Sequence, residues 1–222
     1  MAAAHASGGG CKRAMARDTS AACKQCRREG QKLFLKGERC LTDKCGVERR
    51  SYPPGEHGRG RQKQSEYRLQ LREKQKARRY YGLLERQFRG VYEKAMRRRG
   101  VTGEQMLQIL ETRLDNVVFH LGFANTRAAA RQMVCHGHIT VKGRKVSIPS
   151  YALKVNDEIV VKNNNVSRQL ATKNLEVATS RAVPDWLSLN KEEFKGTVMR
   201  IPTRDEIQPI ANEQAVVEFY SR

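Results

Sequence analysis

Residues 112–148, TRLDNVVFHLGFANTRAAARQMVCHGHITVKGRKVSI, constrain the fold of this chain more than any other stretch. Leu114, Val117, Val118 and Leu121 recur at helical spacing, and Gly122 can end that run. Asn125 or Thr126 then suits an N-cap, because a short side-chain oxygen accepts from the orphan amides of a first turn. Behind it Ala128, Ala129, Ala130 and Met133 favour helix, Arg127 and Arg131 share one face, and Gly137 fits a left-handed stop. Residues 139–141 and 146–148 read as strands joined across Lys142, Gly143, Arg144 and Lys145. Lys142 would then take a positive backbone angle at some cost, or the turn is of another type. Two helices and a hairpin would gather Arg127, Arg131, Gln132, His136, His138, Lys142 and Lys145 into one neighbourhood. That surface is rich in donors, and phosphate oxygens are its complement.

Charge sharpens that expectation. The 222 residues carry 43 Lys and Arg against 23 Asp and Glu, a net charge of +20. The excess is uneven: 27 basic and 10 acidic residues lie up to Gly100, and 16 and 13 beyond it. A polyanion is the natural partner of the first half, with counterion release supplying much of the affinity. A solvated basic surface, or a cation that lies on membranes, is the plainer alternative. No apolar run reaches the roughly 20 residues that span a bilayer. The opening MAAAHASGGG lacks the apolar core of a signal peptide, which argues against secretion and leaves a weak case for an organellar transit peptide; residues 1–14 are expected to be a disordered extension or an upstream start.

The sharpest local signal is cysteine spacing. Cys23 and Cys26 are three apart, and Cys40 and Cys45 follow. Two close thiolate pairs can close a tetrahedron, and zinc suits four sulfurs without redox chemistry. Disulfides and free structural thiols are the competing readings, yet nothing directs the chain to an oxidising compartment. A closed four-cysteine site holds no open position for catalysis; it would fold a basic segment (residues 15–46, with Arg27 and Arg28) that is too small for its own core.

Residues 47–64 read as a basic loop, since Pro53, Pro54, Gly55, Gly58 and Gly60 deny it regular structure. It carries Arg49, Arg50, Arg59, Arg61 and Lys63. Residues 65–111 read as a helical domain. Ser65 caps a helix whose Arg68, Arg72, Lys74, Lys76, Arg78 and Arg79 fall on more than one face, as a helix lying along RNA backbone would need. Tyr80 and Tyr81 suit core packing better than base stacking. Leu84, Phe88, Val91, Tyr92 and Ala95 form a core stripe, leaving Arg86, Arg89 and residues 97–99 outside. Thr102 with Gln105 fits a capping box. Past the hairpin, 158–161 and 195–198 read as strands, 170–177 as a helix, and Trp186 as a packing anchor. Alternation of Val217 and Phe219 against Val216, Glu218 and Tyr220 reads as a last strand. The expected units are 112–178, a helix-helix-hairpin domain, and 179–222, which completes its sheet and packs on the helical domain.

An active site is hard to find. There is no nucleophile elbow, no phosphate-cradling glycine loop with lysine and no His-Glu-x-x-His. His136 and His138 beside Cys135 suggest phosphate contact more than metal. Asp115 is the one tempting acid, but pairing with Arg113 is the more ordinary role.

RLDNVVFHLGF, TRAAARQ, HGHITVKGRKV and the terminal NEQAVVEFYSR resemble the small ribosomal subunit protein four family, of bacterial or organellar type, over residues 15–222. The module alone also resembles parts of pseudouridine synthases, some tRNA synthetases and heat-shock RNA binders. The family resemblance implies an α+β fold: a zinc knuckle of Cys23, Cys26, Cys40 and Cys45 and a basic helical domain, beside a helix-helix-hairpin domain with a small antiparallel sheet. It implies a non-enzymatic ribosomal constituent that binds 16S-type rRNA in its five-prime domain and nucleates assembly of the subunit body. Its partners would be that rRNA, small-subunit protein five and mRNA, and its location the cytoplasmic or an organellar ribosome. PPGEHG is similar to a family signature after which Arg59, Arg61 and Lys63 would face incoming mRNA and support decoding accuracy. The rRNA contacts would include Arg27, Arg28, Arg49, Arg50, the six bases of residues 68–79, Arg86, Arg113 and the hairpin set from Arg127 to Lys145.

Overall fold

The computed structural model describes residues 16–60, 63–178 and 181–222. The expected extension, with Cys11, and Arg61 lie outside them. In chain order the helices are α1 (Ala22–Glu29), α2 (Gly46–Arg49), α3 (Glu66–Tyr80), α4 (Glu85–Met96), α5 (Thr102–Glu111), α6 (Leu114–His120), α7 (Arg127–Cys135), α8 (Asn165–Val177) and α9 (Glu213–Ser221). The strands are β1 (Ile139–Val141), β2 (Arg144–Lys145), β3 (Glu158–Val161), β4 (Leu187–Asn190) and β5 (Lys195–Val198). All pairings are antiparallel, in the order β2-β1-β3-β5-β4. The architecture is α+β.

Two cores organise these elements. In the first, Leu114, Val117, Val118 and Leu121 of α6 pack with Met133 and Val134 of α7 against Ile139, Val141, Ile159 and Val161 of the sheet. Trp186, 2% exposed, anchors the start of β4 in this core. The sheet comes so close to α6 that a Cβ on Gly196 would lie 2.4 Å from a Leu121 methyl. The second core joins Ala77 and Tyr80 of α3, Phe88, Val91, Tyr92 and Ala95 of α4, Met106 and Leu110 of α5, and Val216 of α9. It is the stripe expected from periodicity, and Tyr80 and Tyr81 are buried in it.

Several local expectations need correction. Residues 215–220 form the helix α9, not a strand. Asn212 caps it, accepting from the Gln214 and Ala215 amides at 3.0 and 3.3 Å. Val216 and Tyr220, four apart, then face the second core, where Tyr220 stacks on Tyr92 with ring centroids 4.8 Å apart. A groove between helices outweighs the strand preference of Val, Phe and Tyr. Thr102 is already the first helical residue of α5, so Val101 occupies the cap and no side chain closes a capping box. Helix α8 begins at Asn165 rather than 170. The second hairpin strand is Arg144–Lys145, earlier than expected, because the turn needs only Lys142 and Gly143. Their φ values of 50° and 74° match a two-residue primed turn, with Lys142 in the angle that favours glycine or asparagine. Thr126, not Asn125, caps α7 by accepting from the Ala129 amide at 3.1 Å.

Candidate nucleic-acid interface

A buried polar knot fixes the two units to each other. Glu111, at the end of α5, accepts from Tyr81 Oη at 2.6 Å, Asn116 Nδ2 at 2.6 Å and His120 Nε2 at 2.9 Å. Burial alone would raise its carboxyl; His120, Arg127 and the Tyr81 hydroxyl overcome that and hold it at about 2. Burial, then the carboxylate, pushes the Tyr81 hydroxyl well up. Arg127 crosses the junction. Its guanidinium carbon lies 3.7 Å from the Tyr80 ring centroid and 4.3 Å from that of Phe119, and its Nε donates to Asn116 Oδ1 at 2.7 Å. Arg127 therefore holds the domains together instead of lying on an outer basic face.

The same holds for much of the expected basic surface. Arg113, 6% exposed, donates from Nε and Nη2 to both oxygens of Asp115, at 3.0 and 2.7 Å. Arg131, also buried, reaches Asp115 at 3.4 Å. Asp115 is thus the centre of an internal ion cluster, as an ordinary pairing role requires. On α3, Lys74 is 5% exposed; it donates to Glu85 at 2.8 Å and sits 4.5 Å from the Phe219 ring centroid. Lys76 binds Glu73 at 2.6 Å, and Arg78 approaches Glu85 at 3.6 Å. Arg72 and Arg79 both bind Glu29 of α1, whose carboxyl burial pushes up against their pull. Arg68 donates to the Lys63 carbonyl at 3.2 Å. Helix α3 is accordingly a strut gripped by carboxylates from α1 and α4, not a rod of outward cations. Those carboxylates lie off the helix itself, Glu29 43 residues before Arg72 and Glu85 past the end of α3, so helix-face reasoning could not see them.

Other bases do face outward. Gln132 is exposed on α7 and His136 at its C-cap, and Arg144 and Lys145 are exposed on β2. Gly137 lets the Lys145 chain cross close to the backbone, since a Cβ there would lie 2.1 Å from Lys145 Cε. His138 is half-buried and bonded to Ser167 Oγ at 2.9 Å; burial, then His136, Lys162 and Lys145, hold its imidazole below the ordinary value. It positions α8 as a neutral ring. Lys142 is exposed but reaches Asp157 at 2.6 Å. Lys162, beside His138, was missed in the sequence because it follows a strand rather than a motif. On the other unit Arg86, Arg89, Lys94 and residues 97–99 are exposed along and beyond α4, and Arg89 pairs with Glu93 at 3.3 Å. Near the N-terminus Arg28, Arg49, Arg50, Arg59 and Lys63 are exposed, while Arg27 stacks on Tyr52 and donates to its carbonyl at 3.0 Å.

Cys23, Cys26, Cys40 and Cys45 line one small cavity between α1, the 3-10 turn Gly37–Cys40 and the start of α2. All four are free thiols, three of them buried. The Lys36 amide donates to Cys40 Sγ at 3.4 Å, and Gly46 passes so close that a Cβ would lie 2.8 Å from that of Cys23. Among the described residues, no three His, Cys, Asp or Glu side chains are set as a metal-holding group. The quartet converges without forming a closed ligand set. Among the described residues no helix is long and apolar enough to cross a membrane.

Comparison with known proteins agrees with this layout. Residues 17–111 match the family described as ribosomal protein S4/S9 N-terminal domain, and residues 112–159 the S4 domain. The boundary falls between α5 and α6, where the Glu111 knot sits. Small ribosomal subunit protein uS4A of Symbiobacterium thermophilum is 56% identical over 208 residues, covering 94% of this chain and all of that protein. Small ribosomal subunit protein uS4 of a Geobacter species is 55% identical, and that of Acetivibrio thermocellus 54%, with the same coverage. The chain belongs to the small ribosomal subunit protein uS4 family.

Proposed function

We propose that this protein is a structural constituent of the small ribosomal subunit that binds small-subunit rRNA directly. It is not an enzyme; the buried acids Asp115 and Glu111 are both internally paired. The observation that carries the reading is the rigid junction at Glu111 and Arg127, flanked on either side by exposed bases. A protein built this way grips RNA with Gln132, His136, Arg144, Lys145 and Lys162 on one unit, and with Arg86 and the bases at the α4 end on the other. A junction tied by these bonds sets one angle between the RNA segments it holds. That is what nucleating the subunit body requires.

The finer roles rest on the family resemblance and, for Arg59 and Lys63, on their exposure. Arg59, Arg61 and Lys63 meet incoming mRNA and support accuracy, and small-subunit protein five is a neighbour. The protein works on the ribosome, in bacterial cytoplasm or in an organelle. One structural zinc is held by Cys23, Cys26, Cys40 and Cys45. The fit is chemical: four free thiols share one cavity, and a backbone amide already points at one sulfur. When bound, zinc supplies a crosslink that a short basic segment lacks; the chain's own contribution is the fully buried Leu33, whose amide donates to the Cys26 sulfur. Native mass spectrometry is expected to find one zinc per chain, and a metal-free folded chain would remove this part of the reading.

Sucrose-gradient sedimentation of a lysate carrying the tagged chain tests the main reading. The protein is expected with free small subunits and with whole ribosomes. A chain confined to the top of the gradient would overturn it, and favour a free RNA binder using the same module.

A further inference from the structure

A cavity of about 220 Å³ opens between the N-terminal segment, the end of α3 and α7. At about 30 Å³ per water this is room for roughly seven molecules, far more than a packing defect and enough for one base or phosphate. Its walls include Arg17, Phe34, Arg79, Tyr80, Arg127 and Arg131. Two carboxylates also line it, and both are engaged: Asp18 accepts from the Ser20 amide and from Gln25, and Asp115 from Arg113 and Arg131. Arg79 Nε and Arg127 Nη2 are buried without a hydrogen-bond partner among the described residues.

Phe34 is the anomaly. It combines a φ of 50°, where a side chain with a Cβ is strained, with a ring left 45% exposed. Its neighbours impose the angle. Leu33 is fully buried, the Gly37 amide closes back on the Phe34 carbonyl at 3.4 Å, and Gly37 presses within 3.1 Å of the Asn125 carbonyl, counted from a Cβ it lacks. The loop is pinned, and what it displays at the cavity mouth is an aromatic face. Nearly half of this large apolar residue is left uncovered, and strain kept at an exposed aromatic is a mark of a binding position.

We propose that this cleft takes one unstacked nucleotide of the bound RNA, its base laid on Phe34 and its phosphate against the guanidinium wall. The inference rests on the rRNA-binding reading and names a site within it. Aromatic faces are how proteins hold splayed-out RNA bases, and a guanidinium-rich wall suits the attached phosphate. The strain of Phe34 and the size of the cavity then have one explanation.

The test uses the full chain bound to the five-prime domain of small-subunit rRNA, with base-by-base chemical probing. Phe34→Gly relieves the backbone strain, so its melting temperature should not fall. Its affinity should drop about tenfold, within the range of one base-aromatic stack, and protection should vanish at a single unpaired nucleotide. Phe34→Trp should restore both. Unchanged affinity and footprint in Phe34→Gly would overturn the cleft while leaving rRNA binding intact. An equal loss on an unrelated RNA would overturn it too. A wild-type chain with no preference for the rRNA would instead defeat the parent reading.

Discussion

Helix α3 and the α7-hairpin face look alike in sequence and differ in what their charges do. Five of the six bases of α3 are engaged by Glu29, Glu73 and Glu85, and Lys74 is buried under two aromatic rings. On the hairpin face Arg144 and Lys145 are exposed on a strand of two residues. The first set chiefly builds the protein, with Arg79, in the cleft wall, keeping one donor free among the described residues, and the second is available to a partner. A net charge of +20 therefore overstates the RNA contacts, because the helix richest in cations is held by carboxylates from its neighbours.

Substitution should separate the two sets. The largest effect is expected inside the first. Arg113→Ala leaves Asp115 buried with Arg131 alone and should cost about 3 kcal/mol in chemical denaturation; a loss near zero would mean the cluster is solvated. Glu111 should make the fold acid-sensitive to a similar degree. Its carboxyl is held at about 2, below its value of about 4.5 in an open chain, so its contribution is full above that value and fades as pH falls toward 2. A urea series between pH 5 and 2.5 should show that slope, and Glu111→Gln should flatten it. Lys74→Ala should cost about 2 kcal/mol of stability, less than a wholly buried pair because Glu85 is half-exposed, yet leave the salt slope of RNA binding unchanged. Lys145→Ala should do the reverse. Its melting temperature stays put, affinity falls about fivefold, and the salt slope drops by about 0.7–0.9. The smallest effect is at the turn: Lys142→Asn suits the φ of 50° but gives up the ion pair with buried Asp157, so the two offset and the melting temperature should move by no more than about two degrees, read by calorimetry.

Periodicity made the α4 stripe, the α6 face and β3 legible, because those residues meet partners on one side only. Residues 215–220 misled for the opposite reason: alternation describes a strand, but the site α9 fills is a groove between helices. The site was legible in outline through its motifs. It was not legible charge by charge, since the carboxylates that engage Arg72, Arg79 and Lys74 come from elsewhere in the chain. Phe34 gave no signal either, because a backbone angle set by a pinned loop leaves no pattern in residue types.

Equilibrium binding to the five-prime domain of small-subunit rRNA, beside an unrelated folded RNA of equal length and across a salt titration, bears most directly on whether a rigid junction presents a shaped basic surface. Preference of about a thousandfold for the rRNA, persisting near physiological salt, is the expected result. Equal affinities that collapse together as salt rises would mean that charge alone binds RNA, and that the junction orients nothing.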